Sequence, residues 1–377
     1  MEQADHFHDR HLVADSLAGG PGVFTESMRA KLARAAGHLS TPDLFREVER
    51  LQTSAFLEGE FGEYWAAIRA AMVDVLSITV GAWGDVPFSF RGAVHDLGEW
   101  HRRFRHAHRF TLIDRAADMM AAKHARRTGV LLGFQNCTQL DGDLRNLETF
   151  HAFGIRMIQL TYNEHGPAGS GCTAATDHGL TAFGRELVNR MNQLGIIVDV
   201  SHCGPRTSLD AINASRAPVA VSHAACSAVY PHARNKNDDL LRALRDTGGY
   251  IGICAAPAFL GSQRDGQPNV AAIARHIEHA LGIAGETSVG VGTDWGVADS
   301  PAILTERLQA EARSRGFRQQ DAFDFTQQTE GFESWAIGWP RITTALTQAG
   351  LPDQVIGKVL GDNFRRLFSE AERAAGT

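Results

Sequence analysis

The sequence predicts an α/β protein with the architecture of a (β/α)8 TIM-type barrel and helical insertions at the catalytic rim. Strand-like apolar runs alternate with helix-like stretches along the 377 residues, which favours a parallel sheet. The runs are nearly continuous in apolar residues, as expected of strands buried on both faces. Two consecutive runs end in the same dipeptide, Ser-His. No shift in composition marks a second domain, so residues 1–377 are expected to form one barrel.

Eight strands are predicted, and the helical stretches lie between them. In chain order they are Leu12–Leu17, Val73–Val80, Gly129–Gln135, Arg156–Thr161, Gly195–His202, Pro218–His223, Gly249–Cys254 and Ser288–Asp294. Because all strands of such a barrel are parallel, their carboxyl ends should lie on one rim, where barrels of this type carry their catalytic residues.

Two helices carry clear boundary signals. Thr41 followed by Pro42 predicts a helix start, with threonine as the N-cap and proline at the first helical position. The segment Thr181–Leu194 places apolar residues on one helical face, and Gly195 supplies the expected C-terminal stop. Residues 19–62 are then a mostly helical insertion after the first strand, expected to lie over the catalytic rim.

The composition excludes several classes of protein. Hydrophobic residues make up 44% of the chain, which excludes a disordered protein. A net charge of −6 gives no sign of nucleic acid or an anionic membrane as a partner. The five cysteines are widely spaced and lack a Cys-x-x-Cys pair, which is typical of reduced thiols. The N-terminus has no signal-peptide pattern, so we expect a cytoplasmic protein that acts on a small molecule.

Two histidines follow consecutive predicted strands and are the strongest candidates for a functional site. His202 ends the fifth strand, His223 ends the sixth, and Asp294 ends the eighth. Two imidazoles and a carboxylate on one rim, with water in the fourth position, match an open catalytic zinc site. The sequence therefore predicts one divalent metal ion, zinc or a similar cation, with Asp294 as ligand or general base. The alternatives are that the histidines only cap core strands and that Asp294 caps the following segment.

Other polar residues at this rim are candidates for substrate binding. Gln135 ends the third strand, and Tyr162 follows the fourth. Arg234 and Asn235 lie on the loop after the sixth strand, where an arginine could clamp a carboxylate through two parallel hydrogen bonds. The alternative for Arg234 is a solvated surface side chain.

Several short segments between Thr111 and Phe368 together carry a resemblance to a known family. They are Gly133–Asn136, Phe153–Arg156, Leu160–Asn163, Gly179–Gly184, Met191–Gly195, Val198–His202, Ser222–His223, Arg234–Asn235, Gly290–Asp294 and Gly361–Arg366. In this order they resemble the membrane (renal) dipeptidase family, which are metallopeptidase barrels of the amidohydrolase type. The resemblance implies a two-zinc site that hydrolyses dipeptides, and a homodimer.

The resemblance also implies roles for individual residues. His202 and His223 would be metal ligands, Arg234 would bind the substrate carboxylate, and Asp294 would be the acid–base residue.

The first strand departs from the family pattern, which ends Asp-Gly-His-x-Asp. Here Leu17 stands where the histidine belongs and Gly19 where the aspartate belongs, so neither side chain can ligate a metal. Asp15 shares a strand face with Leu17 and is the one nearby carboxylate that could compensate. Gln135 replaces the bridging glutamate, which removes a full negative charge, and Tyr162 replaces a substrate-contacting histidine.

Three functions follow from these substitutions. The first, which we favour, is a hydrolase of small dipeptide-like or amide substrates that uses a single metal ion. The second is a barrel that carries out another metal-assisted step, such as a lyase, isomerase or cyclisation reaction, on a small carboxylate or amine. The third is a metal-free binder of small molecules. Fold alone does not decide among them.

Overall fold

The barrel strands occupy the positions that the apolar runs predict. The computed structural model describes residues 7–19, 24–81, 88–106, 108–261, 268–295, 302–304, 306–307, 310 and 328–376. The strands are β1 (Ala14–Ala18), β2 (Val75–Thr79), β3 (Phe110–Leu112), β4 (Thr128–Phe134), β5 (Ile155–Gln159), β6 (Ile197–Asp199), β7 (Ala220–Ala224), β8 (Tyr250–Ile253) and β9 (Val289–Val291). Every pairing between them is parallel, in the order β1-β2-β4-β5-β6-β7-β8-β9. The predicted α/β barrel class is confirmed.

Strand β3 is the one that the sequence did not predict. It is three residues long and pairs with the first residues of β4, outside the barrel order, with Phe110 opposite Thr128. A run this short, directly after a long helix, has too few apolar residues to produce a strand pattern.

The two ends of the sheet, β1 and β9, meet through hydrogen bonds rather than a continuous ladder. The Asp294 amide donates to the Leu17 carbonyl at 2.8 Å. The Ser16 hydroxyl donates to the carbonyl of Val291 at 3.0 Å and to that of Ser222 at 2.6 Å. These contacts bring the barrel close to closure and place Asp294 beside the carboxyl end of β1.

Helices follow most strands on the outside of the barrel. They are α1 (Glu26–Ala36), α2 (Thr41–Glu58), α3 (Gly62–Ala71), α4 (Phe90–His106), α5 (Ala116–His124), α6 (Arg145–Ala152), α7 (Ala182–Leu194), α8 (Pro205–Ala214), α9 (Asp238–Asp246), α10 (Pro257–Leu260), α11 (Val270–Ala284), α12 (Trp335–Gln348), α13 (Asp353–Gly357) and α14 (Asn363–Ala375). A 3-10 turn spans Thr138–Leu140, and a π-helical turn spans Lys358–Asp362.

One of the two predicted helix starts is wrong by a residue. The N-cap of α2 is Ser40, whose hydroxyl accepts from the Asp43 amide at 3.3 Å, and Thr41 is already helical. Serine is at least as good an N-cap as threonine, so the boundary moves to the earlier residue. The other start is confirmed, because Thr181 caps α7 and Gly195 ends it with φ +70°.

The insertion at residues 19–62 contains α1 and α2 in its described part. It contacts α4, where the buried Arg103 guanidinium donates to the Glu49 carboxylate at 2.8 Å. Its predicted position over the catalytic rim remains a prediction.

The opposite, amino-terminal end of the barrel is closed by apolar side chains. Leu131, Ile197 and Tyr250 from the strands pack with Phe364 and Leu367 of α14. The carboxyl end is different, because it also buries a group of polar side chains. They are Asp15, Ser16, Asp199, Ser201, Ser222, His223 and Thr293.

Two findings bear on the environment of the protein. Within the described ranges, no helix is both long and apolar enough to cross a membrane. All five cysteines are free thiols in the structure.

Candidate functional site

The structure brings the two histidines of the Ser-His motifs into direct contact. His223 lies within β7, whereas His202 lies in the turn after β6. Their Nε2 atoms are 2.9 Å apart, and both side chains are buried. The turn brings His202 back toward the neighbouring strand. The two histidines therefore meet at the rim as predicted, although one lies in a strand and the other in a turn.

The opposite ring nitrogens have different partners. The Nδ1 atom of His202 is 2.7 Å from the side-chain oxygen of Asn163, which also accepts from the Cys172 thiol at 3.4 Å. The Nδ1 atom of His223 is 2.8 Å from the Ser222 hydroxyl. An amide oxygen can only accept, so the His202 proton must sit on Nδ1.

The proton on His223 follows from the hydrogen bonds of Asp199. This carboxylate accepts from the hydroxyls of Ser201 and Ser222, each at 2.6 Å. A serine hydroxyl has one proton, and it lies toward Asp199 at 2.6 Å, with the Ser201 hydroxyl at 3.0 Å as a second neighbour. We therefore assign Ser222 as the acceptor from His223 Nδ1. In this assignment both imidazoles carry their proton on Nδ1, and the two Nε2 atoms that face each other carry lone pairs.

With both protons on Nδ1, the facing lone pairs at 2.9 Å repel unless a cation lies between them, whereas a proton on one Nε2 would make this contact an N–H···N hydrogen bond. A histidine that donates its other ring N–H to a neighbouring acceptor is the usual state of a metal-bound histidine. The chemistry of this donor pair therefore fits one cation of the zinc class.

The residues present do not fit a second cation. The side chain of Leu17 is buried and apolar, Gly19 has none, and Gln135 is neutral. In the part of the chain that the structure describes, no cluster of three or more histidine, cysteine, aspartate or glutamate side chains is placed to hold a metal ion. Asp294 as a third ligand thus stays a prediction.

Burial and two neighbouring cations shift the histidines toward the neutral form. Burial lowers the pKa of His202 and of His223 well below the usual value, and the charges of Arg234 and Lys236 lower both further. Neutral imidazole is the form that binds metal ions.

Arg234 is fully buried, so the solvated alternative is wrong. Its guanidinium donates to the Ser201 carbonyl and, at 3.1 Å, to the His223 carbonyl. It also lies 5.3 Å from the ring centroid of Phe259. The arginine thus supports the two chain segments that carry the histidines, and its predicted role as a clamp for substrate remains a prediction.

Lys236 supports the same segments from a second position. Its Nζ atom donates to the carbonyls of Val200 and Cys203, at 2.9 and 2.8 Å. Burial and the charge of Arg234 lower the pKa of Lys236 to about 8.

Asp294 lies just after β9 in a left-handed backbone conformation, with φ +53°. Burial raises the pKa of its carboxyl to about 6, while the charge of Arg234 acts in the opposite direction. A carboxylate with a pKa near neutrality can both accept and return a proton. The alternative that Asp294 caps the next segment concerns residues 296–301, which lie outside the described part.

Asp15 is not available to replace the missing ligands. One carboxylate oxygen accepts from the amides of Thr293 and Leu17, at 2.9 and 3.2 Å, and the other accepts from the Thr293 hydroxyl at 2.5 Å. Its role is to tie β1 to the segment after β9.

Of the remaining predicted residues, Tyr162 contacts a histidine of the site, whereas Gln135 and Asn235 make hydrogen bonds elsewhere in the chain. The Tyr162 ring stacks on the His202 imidazole, with centroids 3.9 Å apart and planes at 22°. Gln135 is buried at the end of β4, and its carbonyl accepts from Gln159. The Asn235 side chain donates to the carbonyls of Tyr230 and Phe259, at 2.8 and 2.9 Å, which holds its loop against α10. Their role in substrate binding remains a prediction.

Four residues of this site were not singled out from the sequence. They are Asn163, Asp199, Ser222 and Lys236. The signal for two of them was present in the repeated Ser-His dipeptide and in the aspartate two residues before the first one. Asn163 and Lys236 lie on loops whose course the sequence does not reveal.

Comparisons with known proteins agree with this fold. An uncharacterized dipeptidase of Schizosaccharomyces pombe is 33% identical over 200 residues, which are 52% of this chain and 48% of that protein. The chain therefore spans about half the length of this curated relative. Among solved structures, an amidohydrolase from Pseudomonas aeruginosa has a TM-score of 0.76 at 25% identity and covers 98% of both chains.

A second solved structure is a metallo peptidase from Rhodobacter sphaeroides, liganded with a phosphinate mimic of the dipeptide L-Ala-D-Ala. It has a TM-score of 0.69 at 20% identity, over 96% of this chain and 99% of that chain, which shows a shared fold. The family description "Membrane dipeptidase (Peptidase family M19)" matches residues 37–321. Since that match covers most of the sequence, the chain belongs to the membrane dipeptidase family, peptidase family M19.

Proposed function

We propose that this protein is a metal-dependent hydrolase of small dipeptide-like amides, with one divalent cation bound by His202 and His223. The observation that carries the proposal is the pair of buried histidines whose Nε2 atoms lie 2.9 Å apart. Family membership supports hydrolysis of an amide bond. Zinc is the cation that we propose, because imidazole ligands suit it.

The residues around the pair supply the remaining steps. A bound divalent cation would polarise the amide carbonyl and lower the pKa of water at the site. Asp294 accepts a proton from the attacking water, whose oxygen adds to the amide carbon. As the carbon–nitrogen bond breaks, Asp294 returns the proton to the leaving amine. The raised pKa of Asp294, about 6, suits both transfers near neutral pH.

We propose that three neutral side chains and the positively charged side chain of Arg234 bind the substrate. We assign Gln135, Tyr162 and Asn235 to contacts with the substrate, and Arg234 to its acidic end. The dipeptide mimic bound by the Rhodobacter sphaeroides peptidase supports a substrate of dipeptide size.

We further propose a cytoplasmic homodimer, which the free cysteines and the family resemblance support.

The first test is metal content together with activity. Protein purified without chelators should contain one divalent ion per chain by elemental analysis. It should release free amine from at least one member of a panel of L,L- and L,D-dipeptides. The variant His223→Ala should lose both the ion and the activity.

Each other result would contradict part of the proposal. One bound ion without cleavage of any amide would favour a lyase, isomerase or cyclisation reaction. Protein that takes up no zinc or cobalt at all would favour a metal-free binder. Two ions per chain would show that residues other than the missing ligands complete a second site.

A further inference from the structure

The two imidazoles are fixed by unlike partners. His223 contacts the Ser222 hydroxyl, which is backed by the charge of Asp199. His202 contacts only a neutral amide oxygen, that of Asn163, on its Nδ1 side. This difference allows the contribution of each support to be measured separately.

The Asn163 side chain is buried, and its backbone is held in place. The backbone carbonyl of Asn163 accepts from the amide and hydroxyl of Thr173, at 2.9 and 2.8 Å. The side-chain oxygen lies toward His202 Nδ1 and the Cys172 thiol. In this orientation the amide oxygen can accept from both groups.

Ser222 is held by several hydrogen bonds. Its amide donates to the Asp199 carboxylate at 3.0 Å, and its hydroxyl donates to the same carboxylate at 2.6 Å. The amide of His223 donates to the Ser201 hydroxyl at 3.1 Å, and that hydroxyl lies 3.0 Å from the Ser222 hydroxyl. With its proton toward Asp199, the Ser222 hydroxyl can accept from His223 Nδ1 at 2.8 Å.

We propose that Asn163 and Ser222 are positioning residues that keep both imidazoles protonated on Nδ1, so that both Nε2 atoms can bind one cation. This inference rests on the proposed function. Without either support, the imidazole can adopt the other tautomer, in which Nε2 carries the proton and cannot act as a ligand. Neither residue need touch the substrate, so each acts through the histidine beside it.

Titration with cobalt(II) measures the effect directly, because its visible absorption reports both binding and coordination geometry. We expect the variants Asn163→Ala and Ser222→Ala each to bind cobalt about 10–100-fold more weakly than the unmodified protein. Asn163→Asp keeps the shape of the side chain and adds a charge, so it should bind at least as tightly. Ser222→Thr keeps the hydroxyl and should retain the affinity.

A buried polar residue away from the histidines provides a matched control. Asn192 lies on α7 and bonds to Ser215. Asn192→Ala should leave the cobalt affinity and spectrum unchanged, even if it lowers stability.

The possible results separate this inference from the proposed function. If the unmodified protein binds cobalt and both alanine variants bind it equally well, the positioning roles are wrong while the proposed function stands. If Asn163→Asp binds as weakly as Asn163→Ala, a hydrogen-bond acceptor on His202 is not what matters, and the inference fails. If the unmodified protein binds no cobalt, the proposed function itself fails.

Discussion

The two sides of the barrel rim differ in the side chains that they offer as possible metal ligands. On the β6–β7 side, defined by His202 and His223, the imidazoles and their hydrogen-bond partners form one connected network. On the β1–β4 side, defined by Leu17, Gly19 and Gln135, no side chain carries a charge. The first side offers two imidazoles as possible metal ligands, and the three residues that define the second side offer neither an imidazole nor a carboxylate.

Charge explains why the two sides can differ within one fold. The β6–β7 side buries Arg234 and Lys236, whose hydrogen bonds end on backbone carbonyls, so these cations support the fold without any metal. A second divalent ion would need imidazole or carboxylate ligands on the β1–β4 side, which Leu17, Gly19 and Gln135 do not supply. The comparison therefore predicts that the β6–β7 side can bind one ion without help from the β1–β4 side.

The largest expected difference is in cation binding by variants of the two sides. His223→Ala removes one of the two facing Nε2 atoms and should weaken zinc binding by more than about 100-fold. Gln135→Ala, at the corresponding rim position of β4, should change zinc affinity by less than about threefold, because a neutral amide adds no charge to the site. Isothermal titration of both variants measures this contrast.

A comparable loss of affinity in both variants would mean that Gln135 contributes to the same ion. The division of the rim into a metal-binding and a neutral side would then be wrong. Circular dichroism of each variant serves as the control for folding.

Restoring the missing side chains should reverse the asymmetry. The triple variant Leu17→His, Gly19→Asp and Gln135→Glu supplies an imidazole and two carboxylates on the β1–β4 side. Such ligands suit zinc, so the metal content should rise from one ion per chain to two. Elemental analysis of protein dialysed against zinc gives the result, and a stoichiometry that stays at one would show that the backbone of this side no longer permits a site.

Much of the fold, and the central pair of the site, could be predicted from the sequence. Buried parallel strands are continuous apolar runs, so their positions are visible without an alignment. The repeated Ser-His pointed to two side chains at neighbouring strand ends, and the structure brings His202 and His223 together. The absence of charge at Leu17 and Gly19 could also be seen directly from the residue types.

The contacts that orient the site could not be predicted. Asn163 reaches His202 from a loop 39 positions away, and Arg234 reaches back to the Ser201 carbonyl. Such contacts depend on the course of loops, which no local periodicity records. The same reason explains why the sequence suggested a surface alternative for Arg234, whereas the structure buries it.

The stability of the β6–β7 side should depend on Arg234. Arg234→Ala removes two buried charge-assisted hydrogen bonds and should lower the free energy of unfolding by about 3 kcal/mol. The matched control is Arg242→Ala on α9, which removes an exposed ion pair with Asp239 and should change stability by less than about 1 kcal/mol. Urea denaturation without metal measures both variants. If both variants lose equally little free energy of unfolding, Arg234 does not stabilise the fold, and its role would be in substrate binding.

The smallest effect, and a test of the β1–β4 side, concerns the pH dependence due to Asp15. Burial raises its pKa to about 8, well above that of an unfolded chain, although its hydrogen bonds with Thr293 and Leu17 oppose the shift. The stability from this group is therefore fully present below a pH of about 4, is lost as the pH rises through about 8, and does not change further above that value.

Asp15→Asn keeps the oxygen that accepts from both amides, and its new N–H group can donate to the Thr293 hydroxyl. Because the amide does not titrate, the variant should gain stability relative to the unmodified protein as pH rises from 5 to 8, by at most about 1.4 kcal/mol per pH unit. Urea denaturation at several pH values measures the difference. Two parallel stability profiles would mean that Asp15 is ionised throughout this range, so that the β1–β4 side carries a buried charge after all and its neutrality is not what excludes a second cation.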